Sequence, residues 1–146
     1  MPGFILTERM SLQFHQNTLF AGARPWGTSM IFATWDNMKG AQLWMIEPSG
    51  KMYQYFGCAS GRGKQLCRTE IERIKFRDMT VEQALPLVAK TLLKSQDEMK
   101  EKKMELELSV LSEGTKWQHK ILDRATSDKL CSEALEAIEN EDEEMS

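Results

Sequence analysis

Apolar residues recur along this chain in two rhythms, and the switches between them mark the elements. Leu12 to Ala21 has no breaker, and Leu12, His15 and Leu19 fall on one helical face. The stretch is predicted to be the end of a helix that Gly22 and Pro25 terminate. Gly27 to Trp35 is a short, mostly apolar run without helical spacing, predicted to be a strand buried on both faces. Asp36 to Gly40 is a turn cluster, and Ala41 to Glu47 is the next strand, closed by Pro48-Ser49-Gly50. Lys51 to Ala59, rich in aromatics, pairs with it, and the short loops imply an antiparallel meander.

A helical period then takes over. Ser60-Gly61 opens a helix in which Cys67, Ile71 and Ile74 share a face. Thr80-Val81-Glu82-Gln83 reads as a capping box that starts another helix, with Val81, Leu85, Val88 and Leu92 as its buried stripe. Pro86 lies inside that helix, removes one backbone donor and is expected to kink it. Met104 to Val110 alternates strictly and predicts a half-buried strand. Glu113-Gly114 turns the chain, and Trp117, His119 and Ile121 share a face of the returning strand. Thr126 or Ser127 is expected to cap a last helix whose Leu130, Ala134, Leu135 and Ile138 face inward. With no internal repeat and no linker, residues 1–146 read as a single domain.

Composition narrows the class. A hydrophobic share of 41% and a charged share of 28% are those of an ordinary globular protein. No apolar run approaches the ~20 residues that cross a bilayer, and Met1 to Met10 is too short in apolar residues and too acidic for a signal peptide. An intracellular location is therefore expected. Cys58, Cys67 and Cys131 are too few and too widely spaced for a disulfide framework or a zinc site, and read as small apolar residues. Seven acidic residues from Glu133 onwards turn a body of +4 into a chain of −3. Residues 139–146 are expected to form a solvated, frayed acidic tail, and the basic residues are too scattered for nucleic acid.

Each candidate for chemistry has a stronger structural reading. Gly61-Arg62-Gly63-Lys64 has the outline of a phosphate loop, but its spacing is short and Gln65 stands where Ser or Thr should bind a metal. A glycine that lets the helix pack tightly on the sheet fits better. His15 and His119 read as a helix-face residue and a strand packing residue. Glu105 and Glu107 share a strand face and read as solvated acids or ion-pair partners instead of an acid–base pair. No catalytic, cofactor-binding or metal-binding residue is assigned, and no cofactor is expected.

Ordered short motifs carry one resemblance. Thr18-Leu19, Arg24-Pro25-Trp26-Gly27, Gly40-Ala41-Gln42-Leu43, Pro48-Ser49-Gly50, Gly57-Cys58-Ala59, Gly61 and Thr69-Glu70-Ile71-Glu72 follow one another as in the C-terminal portion of proteasome alpha-type subunits. From about Phe14 to its end the chain resembles that family. Glu105-Leu106-Glu107-Leu108-Ser109 and the acidic tail are similar to one alpha type in particular. The resemblance implies an α/β/β/α sandwich related to the N-terminal nucleophile hydrolases, here incomplete: one mainly antiparallel sheet with helices on one side. It also implies a non-catalytic structural subunit of the alpha ring of the 20S core proteasome, in cytoplasm and nucleus, supporting ubiquitin-dependent protein degradation. Its partners would be neighbouring alpha and beta subunits, with proteasome activators as further partners and neither nucleic acid nor membrane.

Residues 1–13 do not match the family pattern and are expected to diverge; the upstream half of the fold is expected to be absent. Ser60 and Pro86 also depart from it. Two other readings compete. An active threonine-type hydrolase would use Thr28 or Thr115, although such a nucleophile needs its own free amine as base. A free-standing interaction module would use the acidic tail.

Overall fold

The computed structural model describes residues 2–97 and 105–144. Contacts divide the chain into two compact units, Met1–Cys58 and Ala59–Ser146.

The first unit is one helix on one sheet. α1 spans Gly3–Leu19, followed by β1 (Met30–Asp36), β2 (Gly40–Ile46) and β3 (Met52–Tyr55). The helix thus begins well ahead of Leu12 and includes most of the segment expected to diverge. Its start is unusual, because Pro2 at the N-cap offers no side-chain acceptor. Packing compensates: Gly3, Thr7 and Phe14 are its buried residues. A Cβ at Gly3 would meet Thr34 Oγ1 at 2.2 Å, so only glycine lets the first turn lie this close to β1.

The three strands form an antiparallel meander in the order β1-β2-β3. β1 starts at Met30, later than expected, because Met30 pairs with Ile46 and β2 ends there; Pro48, which has no amide to donate, follows in the turn. Asp36 holds the β1–β2 turn by accepting from the Met38 and Lys39 amides at 2.9 and 2.7 Å. Gly50 closes the β2–β3 turn at φ +86°, donating its amide to the Glu47 carbonyl at 2.8 Å. Its bare Cα also touches α1, where a Cβ would sit 2.8 Å from the Ser11 carbonyl oxygen.

The second unit is mainly helical. α2 spans Lys64–Arg73, α3 Val81–Asp97 and α4 Arg124–Glu144, with a two-stranded ladder of β4 (Ser109–Val110) and β5 (Lys120–Ile121). Its small core is Ala89, Leu93 and Ala134, with Leu106, Cys131 and Ile138 against it. The expected stripe of Val81, Leu85, Val88 and Leu92 is only half-buried, so α3 turns a neighbouring face inward. The capping box is present: Thr80 N–H donates to Gln83 Oε1 at 3.1 Å, and Gln83 N–H to Thr80 Oγ1 at 3.4 Å. α3 runs unbroken through Pro86, which is exposed, as is Glu82, whose carbonyl lacks that amide partner.

Other expectations are corrected here. Residues 105–108 keep the alternation in burial, Leu108 inward and Glu105 and Glu107 outward, but join no ladder; Met104 lies outside the described residues. The register explains this: Ser109 pairs with Ile121 and Val110 with Lys120, so residues 105–107 would fall opposite 123–125, where the chain is already entering α4 at Arg124, and only the Leu122 amide still reaches back, to the Leu108 carbonyl at 2.9 Å. Asp123 precedes α4 and caps it in place of Thr126 or Ser127, accepting from the Thr126 amide at 3.2 Å and hydroxyl at 2.7 Å. Leu135, expected inward, is 47% exposed. The acidic segment is not frayed as far as Glu144, and α4 includes it.

Candidate functional site

The most distinctive surface is the side of the three-stranded sheet that α1 does not cover. Strand alternation splits the sheet residues into two sets. One set, including Thr34, Gln42, Trp44 and Ile46, faces α1: Trp44 packs on Phe4 at 5.8 Å between ring centroids, Gln42 accepts from the Trp44 indole at 3.2 Å, and Ile46 is fully buried.

The ladder register builds the other set row by row. Ile31 lies beside Met45 and Met45 beside Tyr53; Ala33 lies beside Leu43 and Leu43 beside Tyr55; Trp35 lies beside Ala41. None of these eight residues is charged. Met45, between its two neighbours, is buried, whereas Ile31, Tyr53 and Tyr55 are 45%, 49% and 39% exposed. The two tyrosines meet edge to face at 6.3 Å. β1 was expected to be buried on both faces; Ile31 and Ala33 are exposed, whereas Trp35 on the same side is half-buried. An exposed face that combines apolar and aromatic residues and carries no charge has the composition of a protein-contact surface.

The residues weighed for chemistry are scattered. His15 is exposed on α1, its Nδ1 3.3 Å from the Ser49 carbonyl oxygen. His119 is exposed just before β5, so it is not the packing residue expected of it. Glu105 and Glu107 are exposed; Glu105 accepts from Arg124 Nη2 at 3.1 Å as an ion pair on the surface. The Gly61–Lys64 segment is a turn into α2, with Gly63 at its N-cap. Gly63 does permit close packing, but against α3 and not the sheet: an added Cβ would lie 3.0 Å from Ser95 Cβ. Thr28 Oγ1 donates to its neighbour's carbonyl, Ser29 O, at 3.1 Å, and Thr115 Oγ1 accepts from the Ser112 amide at 3.0 Å. Among the described residues no group of three His, Cys, Asp or Glu is placed to hold a metal ion. No described helix is long and apolar enough to cross a membrane. Cys67 is buried and Cys58 and Cys131 are half-buried.

The strongest electrostatic feature links α3 and α4. Glu141 takes Lys90 on one carboxylate oxygen and Lys94 on the other, the second at 2.7 Å. Lys90 Nζ also reaches the Ala137 carbonyl at 3.4 Å. The two lysine hydrogen bonds hold the Glu141 carboxyl down at about 2. Sequence reading missed this clamp; lysines four residues apart on a predicted helix were its available signal.

In the first unit a meander laid on a helix with an uncharged sheet face, and in the second a helix entered through glycines, agree with what comparison with known proteins gives. The sequence profile of the proteasome subunit family matches residues 1–111, and the chain belongs to that family. The match begins at residue 1 and so includes the segment that the motifs had left out. Within the family, the chain is similar to proteins named proteasome subunit alpha type-3. It is 41% identical to that of Arabidopsis thaliana over 140 residues, 96% of this chain and 54% of the relative. Against the Acanthamoeba castellanii protein identity is 40% over 146 residues, covering 100% and 57%. Against that of Drosophila melanogaster it is 39% over 116 residues, covering 80% and 46%. The chain therefore spans about half the length of the relatives it matches.

Proposed function

We propose that this chain is a non-catalytic structural component of the alpha ring of the 20S core proteasome, contributing to ubiquitin-dependent protein degradation in cytoplasm and nucleus. Its residues 1–146 form part of one alpha-type domain, with residues 139–146 as its acidic end. The observation that carries the reading is the uncharged face of β1-β2-β3 in a member of this family. Such a face calls for a second sheet about 10 Å away, the arrangement of an α/β/β/α sandwich. Its neighbours in this reading are alpha and beta subunits, with activators as further partners.

A chemical argument supports the non-catalytic reading. A threonine nucleophile of this fold type uses its own free amine as the base. Thr28 and Thr115 lie within the chain, with their nitrogens in peptide bonds. Affinity purification of the tagged chain from cells tests the assembly claim. Alpha- and beta-type subunits are expected in the eluate at comparable amounts; their absence would contradict it. Peptidase assays on the isolated chain are expected to show no turnover, and turnover abolished by Thr28→Ala or Thr115→Ala would overturn the non-catalytic reading.

A further inference from the structure

Arg24-Pro25-Trp26-Gly27 forms one wall of a cleft in the first unit. α1 ends at Leu19, and a turn follows in which the Ala23 amide donates to the Phe20 carbonyl at 3.0 Å. The motif then lies beside the last turn of the helix, and with Asn17 it lines a cleft of about 440 Å³. Trp26 is held from behind. Its ring stacks on the buried Phe14 at 5.7 Å between centroids, with 24° between the planes. It is nevertheless 47% exposed, so the other side of the indole is open to solvent.

Three polar groups meet in this cleft, and the fold uses none of them. Among the described residues, the Arg24 guanidinium, the Asn17 carboxamide and the Trp26 indole N–H have no hydrogen-bond or ion-pair partner. Asn17 is half-buried, a position in which a carboxamide is ordinarily satisfied within the protein. No acid lines the cleft, and Arg24 is its one charge.

We propose that the cleft binds an acidic segment of a protein partner through one Asp or Glu carboxylate. A guanidinium presents a planar fork that matches a carboxylate with two parallel hydrogen bonds. The Asn17 carboxamide offers a donor and an acceptor, the complement of a peptide group beside that acid. The open indole face takes the methylenes or an apolar neighbour. A phosphate suits the cleft less. One guanidinium leaves much of a dianion uncompensated, and the adjacent end of α1 is its carbonyl end, which repels a dianion more than a monoanion. This binding does not depend on the ring assignment: it is measured on the purified chain, and assembly by co-purification.

An NMR titration of the full chain with the blocked peptide acetyl-Ala-Glu-Leu-Ala-amide tests the proposal, read on the Trp26 indole and Asn17 carboxamide signals. The expected result is saturable shifts with a Kd of about 1 mM, in keeping with so small a contact. Replacing the peptide's glutamate by glutamine weakens binding at least ~10-fold, and Arg24→Gln does the same. Arg24 is exposed and unpaired, so circular dichroism of that variant stays unchanged. Absence of saturable shifts up to about 10 mM, equal binding of the glutamine peptide, or binding that Arg24→Gln leaves intact overturns the proposal. So does tighter binding of inorganic phosphate, or of a peptide whose sole carboxylate is its C-terminus.

Discussion

Within each unit, single residues decide how closely the elements come together. Gly50 combines a left-handed turn with contact on Ser11 and His15 of α1. Gly50→Ala is expected to destabilise by about 2–3 kcal/mol, through strain at positive φ together with overpacking; chemical denaturation measures it. Glu141 acts across a longer separation. Its carboxyl stands at about 2 in the folded chain against an ordinary 4.5. A depressed carboxyl stabilises the fold above its unfolded value, and that contribution fades as pH falls from 4.5 towards about 2. Glu141 is 47% exposed, so solvent screens the clamp and its worth is about 0.5–1 kcal/mol. Glu141→Gln is expected to remove this part of the acid dependence, read as a flatter melting-temperature profile between pH 5 and pH 2. Pro48-Ser49-Gly50 was legible because turn chemistry is local. Glu141 was not, because its partners lie 51 and 47 residues away and sequence reading treated the acids as one solvated block.

At the level of elements, local signals were read well and pairing less so. The capping box at Thr80 and Gln83 and the three strands of the meander needed only neighbours a few residues apart. Of the half-buried strand expected over 104–110, Ser109 and Val110 form β4 and residues 105–108 stay outside it, for another reason. Alternation reports which side faces inward, and Leu106 and Leu108 do face inward. A ladder also needs a partner strand in register, and opposite residues 105–107 the chain is already entering α4. The cap of α4 was misplaced because three successive candidates, Asp123, Thr126 and Ser127, compete; Asp123 prevails by accepting two hydrogen bonds from Thr126. Those bonds also lower the Asp123 pKa. Asp123→Ala is expected to destabilise the start of α4, read as faster amide exchange in its first turn. Pro86→Ala is expected to do the opposite, because α3 continues as helix through this exposed position. Restoring a helical amide there stabilises by about 1–3 kcal/mol, observed as a higher melting temperature.

For the molecule as a whole, burial and exposure carry the function. The first unit places one sheet face under α1, and the other is uncharged, with Ile31, Tyr53 and Tyr55 exposed on it. The motif order identified the family from the residues alone, but the uncovered face was legible only in part. The apolar run of β1 looked buried on both sides because residue types cannot reveal which layer is present. Exposure of Ile31, Tyr53 and Tyr55 supplies that distinction. The account holds that this face is occupied by a second sheet when the chain works as a ring component. Hydroxyl-radical footprinting of Tyr53 and Tyr55, on the isolated chain and on proteasome particles purified through it, tests that most directly. The account expects both tyrosines to be labelled at least ~5-fold less in the particles, in line with their transfer to a packed sheet interface. Equal labelling in the two samples would contradict it.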